Sequence, residues 1–249
     1  ETINFKFCNA GGGAALSSLL LSGKGTFIGF TLAEILITLG IVGVVSTMTI
    51  PALINDIQNK QLEAGLKKGY STAQQALISL QADEGIINSN YGTRSFADKY
   101  INYFNGAINC GYVMGTTTTN TNTLCVTSKT YYKTYNGKAN AYSPLLDDGQ
   151  FVLPDGTNYF IQNQGANPSD NLKGSLLITI DVNGTKKPNK WGHDLFTFQL
   201  MDNGKLTPMG AKGTDYYEQE CSQTSSSGRN GIGCTYKALN DPNYFKSLP

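Results

Sequence analysis

The sequence predicts an α+β fold in which one long N-terminal helix packs on a small antiparallel sheet. Three observations carry this prediction: an uncharged apolar stretch from Ile35 to Asn55, helical spacing of apolar residues from Leu53 to Leu80, and short strand-like segments between Gln150 and Met209. A helical region followed by a run of hairpins is the element order typical of α+β domains.

Composition narrows the classes of function. The 249 residues carry 19 Lys and Arg against 18 Asp and Glu, a formal net charge of +1, and only 15% of the residues are charged. This balance argues against a strongly basic nucleic-acid-binding protein and against an acidic tail. His193 is the only histidine in the sequence. This argues against histidine-based catalysis and against metal sites built from several histidines. We find no nucleophile with a base, and we expect no enzymatic activity.

The stretch from Ile35 to Asn55 is the longest uncharged apolar segment. At about 20 residues it is long enough to cross the hydrocarbon core of a bilayer as a helix. It exceeds the apolar region of a secretory signal peptide, roughly 7 to 15 residues, and no A-x-A cleavage site follows it. We therefore predict a membrane-inserted helix, with a buried core helix as the alternative.

The segment from Gly29 to Glu34 reads GFTLAE and stands directly before this stretch. It resembles the class III signal of type IV pilins and type II secretion pseudopilins, in which a prepilin peptidase cuts after the glycine and methylates the new N-terminus. The resemblance implies that residues 1–29 are a leader and that Phe30 becomes the methylated first residue. Glu34 is then the fifth residue and Pro51 the twenty-second, and both match positions characteristic of the family. The leader departs from the pattern, because Ile28 precedes the glycine directly.

Membership of this family would imply a structural subunit held in the inner membrane by a single span, with its head outside the cytoplasm. The partners implied are the prepilin peptidase, membrane lipid, identical or related pilin subunits, and an inner-membrane assembly platform with its ATPase. After assembly the subunit would lie in a filament or at the cell surface. The alternative is a minor pilin that binds DNA or a surface receptor for uptake or adhesion.

Glu34 carries a carboxylate at the start of an apolar helix, where insertion into a membrane is costly. Cleavage at Gly29 would create a cationic partner, the amine of Phe30, which in a filament can belong to a neighbouring subunit. Glu34 would then fix the register of assembly. The alternative is a side chain that reaches the membrane surface.

Residues 30–55 form the predicted transmembrane and assembly half of the helix, and residues 56–84 form an amphipathic half. In the second half, apolar residues recur at spacings of three to five, with polar residues on the other face. Pro51 predicts a kink, and Gly85 predicts the end of the helix.

Residues 85–249 form the predicted globular head. The part up to Leu146 lacks clear periodicity and indicates a long loop or a small subdomain. The sheet is predicted over about residues 150–209: one hairpin turns at Asp155-Gly156, a buried strand ends at Asn183-Gly184, and a second hairpin turns at Asp202-Asn203-Gly204.

Cleavage at Gly29 would remove Cys8 and leave four cysteines in the head. An even number of cysteines outside the cytoplasm indicates two disulfides, although four cysteines allow three pairings. We choose the sequential pairing, Cys110 with Cys125 and Cys221 with Cys234, which includes a C-terminal disulfide loop.

The segment after the buried strand contains oxygen-bearing and basic side chains. Asp181, Asn183 and Asp194 could ligate calcium, which some pseudopilins bind in a loop near the sheet, but Asp and Asn also simply favour turns. Lys186, Lys187 and Lys190 form a short basic loop that could meet phosphate or only be solvated. His193 is most simply a surface or packing residue.

Overall fold

The computed structural model describes residues 30–88, 91, 95–112, 123–163, 174–217 and 221–249. The predicted leader, with Gly29 and Cys8, and most of the Thr-rich run at 116–123 lie outside the described residues. The chain divides into two compact units, Glu1–Thr49 and Ile50–Pro249.

Helix α1 spans Leu32–Glu84, a length of 53 residues that contains the boundary between the units and includes Pro51. Gly85 ends it: this glycine has a φ of 87°, a left-handed conformation that favours glycine, and its N–H donates to the Gln81 carbonyl at 2.9 Å. The predicted helix and its end at Gly85 are confirmed.

In the second unit, one face of α1 is buried against the sheet. The buried positions recur every three or four residues and comprise Leu62, Leu66, Gly69, Ala73, Ala76, Leu77 and Leu80. A Cβ placed on Gly65 would lie 3.1 Å from Val182 Cβ, and one on Gly69 would lie 3.1 Å from Ile180 Cγ2. The two glycines therefore let the helix backbone approach the sheet closely.

The sheet has six antiparallel strands that pair in sequence order. The strands are β1 (Ile108–Gly111), β2 (Gly149–Val152), β3 (Asn158–Gln162), β4 (Leu177–Asp181), β5 (Leu195–Leu200) and β6 (Leu206–Pro208). Strands β2 to β6 fall where the sequence predicts them. The predicted sheet is too short, because the region assigned to loop also contributes β1, which pairs with β2 through an irregular register between Asn109 and Gly111.

Both faces of the sheet are buried, with alternate residues of each strand on opposite sides. The face toward α1 carries aromatic and branched residues, among them Phe151, Tyr159, Ile161, Ile178, Ile180, Phe196 and Phe198. The other face carries Phe160, Leu177 and Leu195, which pack with Trp191, Tyr132 and Ile232. The second layer of core explains why every residue of β3, β4 and β5 is buried, including polar residues such as Thr179 and Thr197.

Among the described residues, the head also contains two short α-helices and two disulfides. Helix α2 (Ser95–Tyr100) and helix α3 (Cys234–Asn240) were not predicted. Disulfides join Cys110 to Cys125 and Cys221 to Cys234, with Cα–Cα distances of 5.7 and 5.0 Å, so the sequential pairing is confirmed. The first ties β1 to the following loop, and the second ties the segment after residue 220 to the start of α3.

Candidate functional site

The start of α1 forms a capping box between Thr31 and Glu34. The Thr31 N–H and hydroxyl both donate to Glu34 Oε2, at 2.8 and 2.9 Å, and the Glu34 N–H donates to Thr31 Oγ1 at 3.2 Å. This reciprocal arrangement satisfies backbone N–H groups that a helix N-terminus otherwise leaves unpaired. It assigns Glu34 a local structural role that was not considered from the sequence, although Thr-x-x-Glu before an apolar run is its recognised signature.

The first part of α1 presents apolar side chains to the outside. From Phe30 to Ile50 all residues are exposed except Ser46, which is half-buried. An 18-residue window of α1 has a mean hydropathy of 2.0, and none of that window is buried. The exposure excludes the alternative of a core helix within the described part of this chain. By length and composition, α1 could cross a membrane.

Asp181 and Asp194 form a buried carboxylate pair where β4 and β5 adjoin. The Tyr132 hydroxyl donates to Asp181 Oδ2 at 2.6 Å, and the N–H groups of Asn183 and Gly184 donate to Oδ1. The N–H groups of Asn189 and Lys190 donate to the two Asp194 oxygens at 2.6 and 2.7 Å. The carboxylates thus hold the loop between the two strands in shape.

The electrostatics of this pair favour binding of a cation. Burial raises the pKa of Asp194 to about 7. Burial and the neighbouring Asp194 charge raise the pKa of Asp181 well above its usual range. None of the ion pairs found in the described chain involves either carboxylate. Two carboxyl groups in a low-dielectric site resist ionising together unless a cation compensates them.

The same loop buries two amide oxygens, Asn183 Oδ1 and Asn189 Oδ1, that accept no hydrogen bond. Carboxylate and amide oxygens are the donors that calcium prefers. The predicted ligands Asp181, Asn183 and Asp194 therefore fit a hard cation in their chemistry, and Asn189 adds a fourth residue that was not predicted. Within the described ranges, no group of three or more His, Cys, Asp or Glu side chains could hold a metal, so amide oxygens would have to complete the set.

His193 is buried, so the prediction of a packing residue is confirmed and the surface alternative is wrong. Its Nε2 lies 2.9 Å from the Tyr135 carbonyl oxygen. Since a carbonyl only accepts, Nε2 carries the proton. Burial, with a smaller effect of the Lys190 charge, lowers the pKa of His193 to about 4.

An open cleft of about 810 Å³ lies within the second unit. Lys186, Lys187 and Lys190 line it, and Lys246, which the sequence did not single out, joins them from the C-terminal segment. Polar residues of α1 also line the cleft: Asn55, Gln58, Asn59 and Gln61. The structure thus places the predicted basic loop on a cleft together with the early part of the second half of α1.

Comparison with protein-family models, curated proteins and solved structures finds no match to this chain.

Proposed function

We propose that this chain is a pilin or pseudopilin, a structural subunit of a type IV pilus or a type II secretion-like filament. A prepilin peptidase cuts between Gly29 and Phe30, and the apolar part of α1 holds the subunit in the inner membrane with its head outside the cytoplasm. An assembly platform and its ATPase then move the helix from lipid into a filament of identical or related subunits.

The observation that carries this proposal is the change in environment along α1. Up to Ile50 the helix is apolar and exposed, whereas from Leu62 its apolar face is buried on the sheet of its own head. Exposed apolar surface of this extent needs a cover other than water, and patches beyond a few hundred Å² usually mark a membrane or protein contact. Lipid before assembly and neighbouring helices after assembly both provide one.

Cleavage is the first test. Coexpression of the full chain with a prepilin peptidase should yield a product that begins at Phe30, and Gly29→Val should block it because a peptidase pocket shaped for glycine excludes a branched side chain. Gly25→Val, four residues earlier in the same segment, is the matched control and should leave cleavage intact. An uncut wild-type chain beside an active peptidase would overturn the assignment.

Assembly through Glu34 is the second test. Glu34→Gln keeps an oxygen that can accept the Thr31 N–H, so it preserves much of the capping box and removes the charge. Thr31→Val removes the capping hydroxyl and keeps the charge. If Glu34 pairs with the Phe30 amine of a neighbour, Glu34→Gln should lose sheared filaments while Thr31→Val retains them. The reverse pattern would assign Glu34 to helix capping alone.

We also propose that Asp181, Asn183 and Asp194 hold calcium. The unpaired buried oxygens of Asn183 and Asn189 support this. Calcium should raise the melting temperature of the EDTA-treated protein, and Asp194→Asn should abolish that rise, because the variant removes one of two charged ligands. Asp202→Asn, in the turn before β6, is the matched control. A calcium response equal in all three proteins would reject the site.

The alternative function is a minor pilin that binds DNA or a surface receptor. The lysine-lined cleft is the feature that favours it.

A further inference from the structure

We propose that the cleft lined by Lys186, Lys187, Lys190 and Lys246 binds the phosphate headgroup of an anionic phospholipid while the subunit is stored in the membrane. This inference rests on the proposed membrane placement of α1. It gives the basic cleft a ligand in the stored state, before any filament forms.

The charge of the cleft is the first argument. Among the residues that the structure describes, four lysines line the cleft and only one acidic side chain does, Asp155, which already pairs with Lys68 at 2.6 Å. None of the ion pairs found in the described residues includes a cleft lysine. The cleft is therefore cationic, and a phosphate group supplies the missing anion.

The position of the cleft along α1 is the second argument. Asn55 is the last residue of the uncharged apolar stretch and also lines the cleft. With a rise of 1.5 Å per residue, Gln58 lies about 4.5 Å and Gln61 about 9 Å further along the helix axis. The headgroup layer adds roughly 5 to 7 Å to each side of the hydrocarbon core. With the apolar stretch in the hydrocarbon core, Asn55 lies at the edge of that core, and the residues from Asn55 to Gln61 extend through the headgroup layer that contains the lipid phosphates.

The residues that line the cleft suit a lipid headgroup better than a DNA duplex. Besides its lysines, the cleft contains amide side chains and the apolar residues Leu62, Val182 and Leu248. Amides can hydrogen-bond a glycerol headgroup, and the apolar residues can contact its carbon atoms. DNA binding depends chiefly on phosphate contacts along an extended surface. A cleft of about 810 Å³ instead has the size of a small-molecule site.

Lipid binding can be measured on the full chain in detergent by native mass spectrometry, with phosphatidylglycerol or phosphatidylcholine of identical acyl chains added in titration. The variant Lys186→Gln/Lys187→Gln/Lys190→Gln should weaken phosphatidylglycerol binding roughly 100-fold, since each lysine near an anionic surface contributes about fivefold. The control Lys129→Gln/Lys212→Gln/Lys237→Gln changes the net charge equally at exposed positions outside the cleft and should bind within about twofold of wild type.

Several outcomes would overturn the inference. Equal binding of the two lipids, or equal losses in both triple variants, would show that no specific headgroup site exists. Full competition by millimolar inorganic phosphate would identify a free phosphate ligand. Tighter binding of a 20-base-pair DNA duplex that is lost only in the cleft variant would favour the minor-pilin alternative. If the triple variant fails to fold, Lys186→Gln alone should still weaken binding about fivefold.

Peptidase cleavage of the same preparations separates this inference from the proposed function. Normal cleavage at Gly29 without a lipid preference overturns the lipid site alone. A lipid preference in a chain that the peptidase never cuts overturns the filament assignment and leaves the lipid site standing.

Discussion

His193 makes the stability of the head depend on pH, and the sign follows from its burial. Its pKa is lowered to about 4 in the folded protein, against the usual 6.5 in an unfolded chain. Between these values the unfolded chain binds the proton and the folded protein does not. The contribution of His193 is therefore fully present above pH 6.5 and is lost as the pH falls toward 4. From pH 8 to pH 5 the expected loss is about 2 kcal/mol of unfolding free energy.

Asp194 opposes this dependence. Its pKa is raised to about 7, so the folded protein binds a proton that the unfolded chain releases, and stability falls as the pH rises from about 4 to 7. The two effects are of similar size, so the wild-type pH curve alone does not isolate His193. The variant His193→Gln does, because it removes the titrating ring and keeps an N–H donor for the Tyr135 carbonyl.

The assay is urea unfolding of the full chain in mild detergent with EDTA, followed by the fluorescence of Trp191, the only tryptophan and a fully buried one. The unfolding free energy of wild type minus that of His193→Gln should fall by about 2 kcal/mol from pH 8 to pH 5. A difference that stays constant over this range would refute the burial argument, since a solvated histidine would titrate alike in both states.

Two further predictions concern the packing of the head. Leu77→Ala, at a fully buried position on the sheet-facing side of α1, should cost about 2 to 5 kcal/mol in urea unfolding, whereas Ile78→Ala at the next, 58% exposed position should change it little. Cys221→Ala/Cys234→Ala, which opens a loop with a sequence separation of 13, should cost about 3 kcal/mol, and Cys8→Ala, outside both disulfides, should be neutral. Equal unfolding midpoints for the Leu77 and Ile78 variants would contradict the burial of Leu77, and equal midpoints for the two cysteine variants would contradict the stabilising role of the disulfide.

Much of the fold could be predicted because its signals are local. The turn at Asp155-Gly156 between β2 and β3 has Gly156 at a φ of 90°, a conformation that few other residues adopt readily. Gly204 does the same between β5 and β6, with a φ of 76°. In each hairpin the turn residues are adjacent to the two strands that they join. The local sequence therefore contains all the information that predicts the hairpin.

Strand β1 could not be predicted, because its signal is not local. It has only four residues with one buried, and it pairs with β2 about 40 residues later in the chain through an irregular register. Helix α2 has six residues, fewer than two turns, so no amphipathic period can be read from it. Its place is fixed by packing: a Cβ on Gly149 would lie 2.5 Å from Ala97 Cβ, a close approach between α2 and β2.

The candidate site likewise contains residues whose proximity the sequence predicts and partners that it does not predict. Asp181 is the last residue of β4 and Asp194 directly precedes β5, so antiparallel pairing of these consecutive strands brings the two carboxylates together. Their proximity could therefore be predicted from the order of the strands. Tyr132, which donates to Asp181, is 49 residues away in sequence, and Tyr135, which holds His193, is 58 residues away. Both partners come from a segment without periodicity, so only the tertiary structure identifies them.

The glycines of α1 show that its two halves are in different environments. Gly65 and Gly69 have sheet atoms 3.1 Å from a Cβ at their positions, so packing within the head accounts for them. Gly40 and Gly43 have nothing within 4 Å, although glycine inside a helix costs about 1 kcal/mol relative to alanine. No contact in the described chain offsets that cost. In lipid-embedded helices, small residues allow close helix–helix approach, so under the proposed function the compensating contact belongs to a neighbouring subunit.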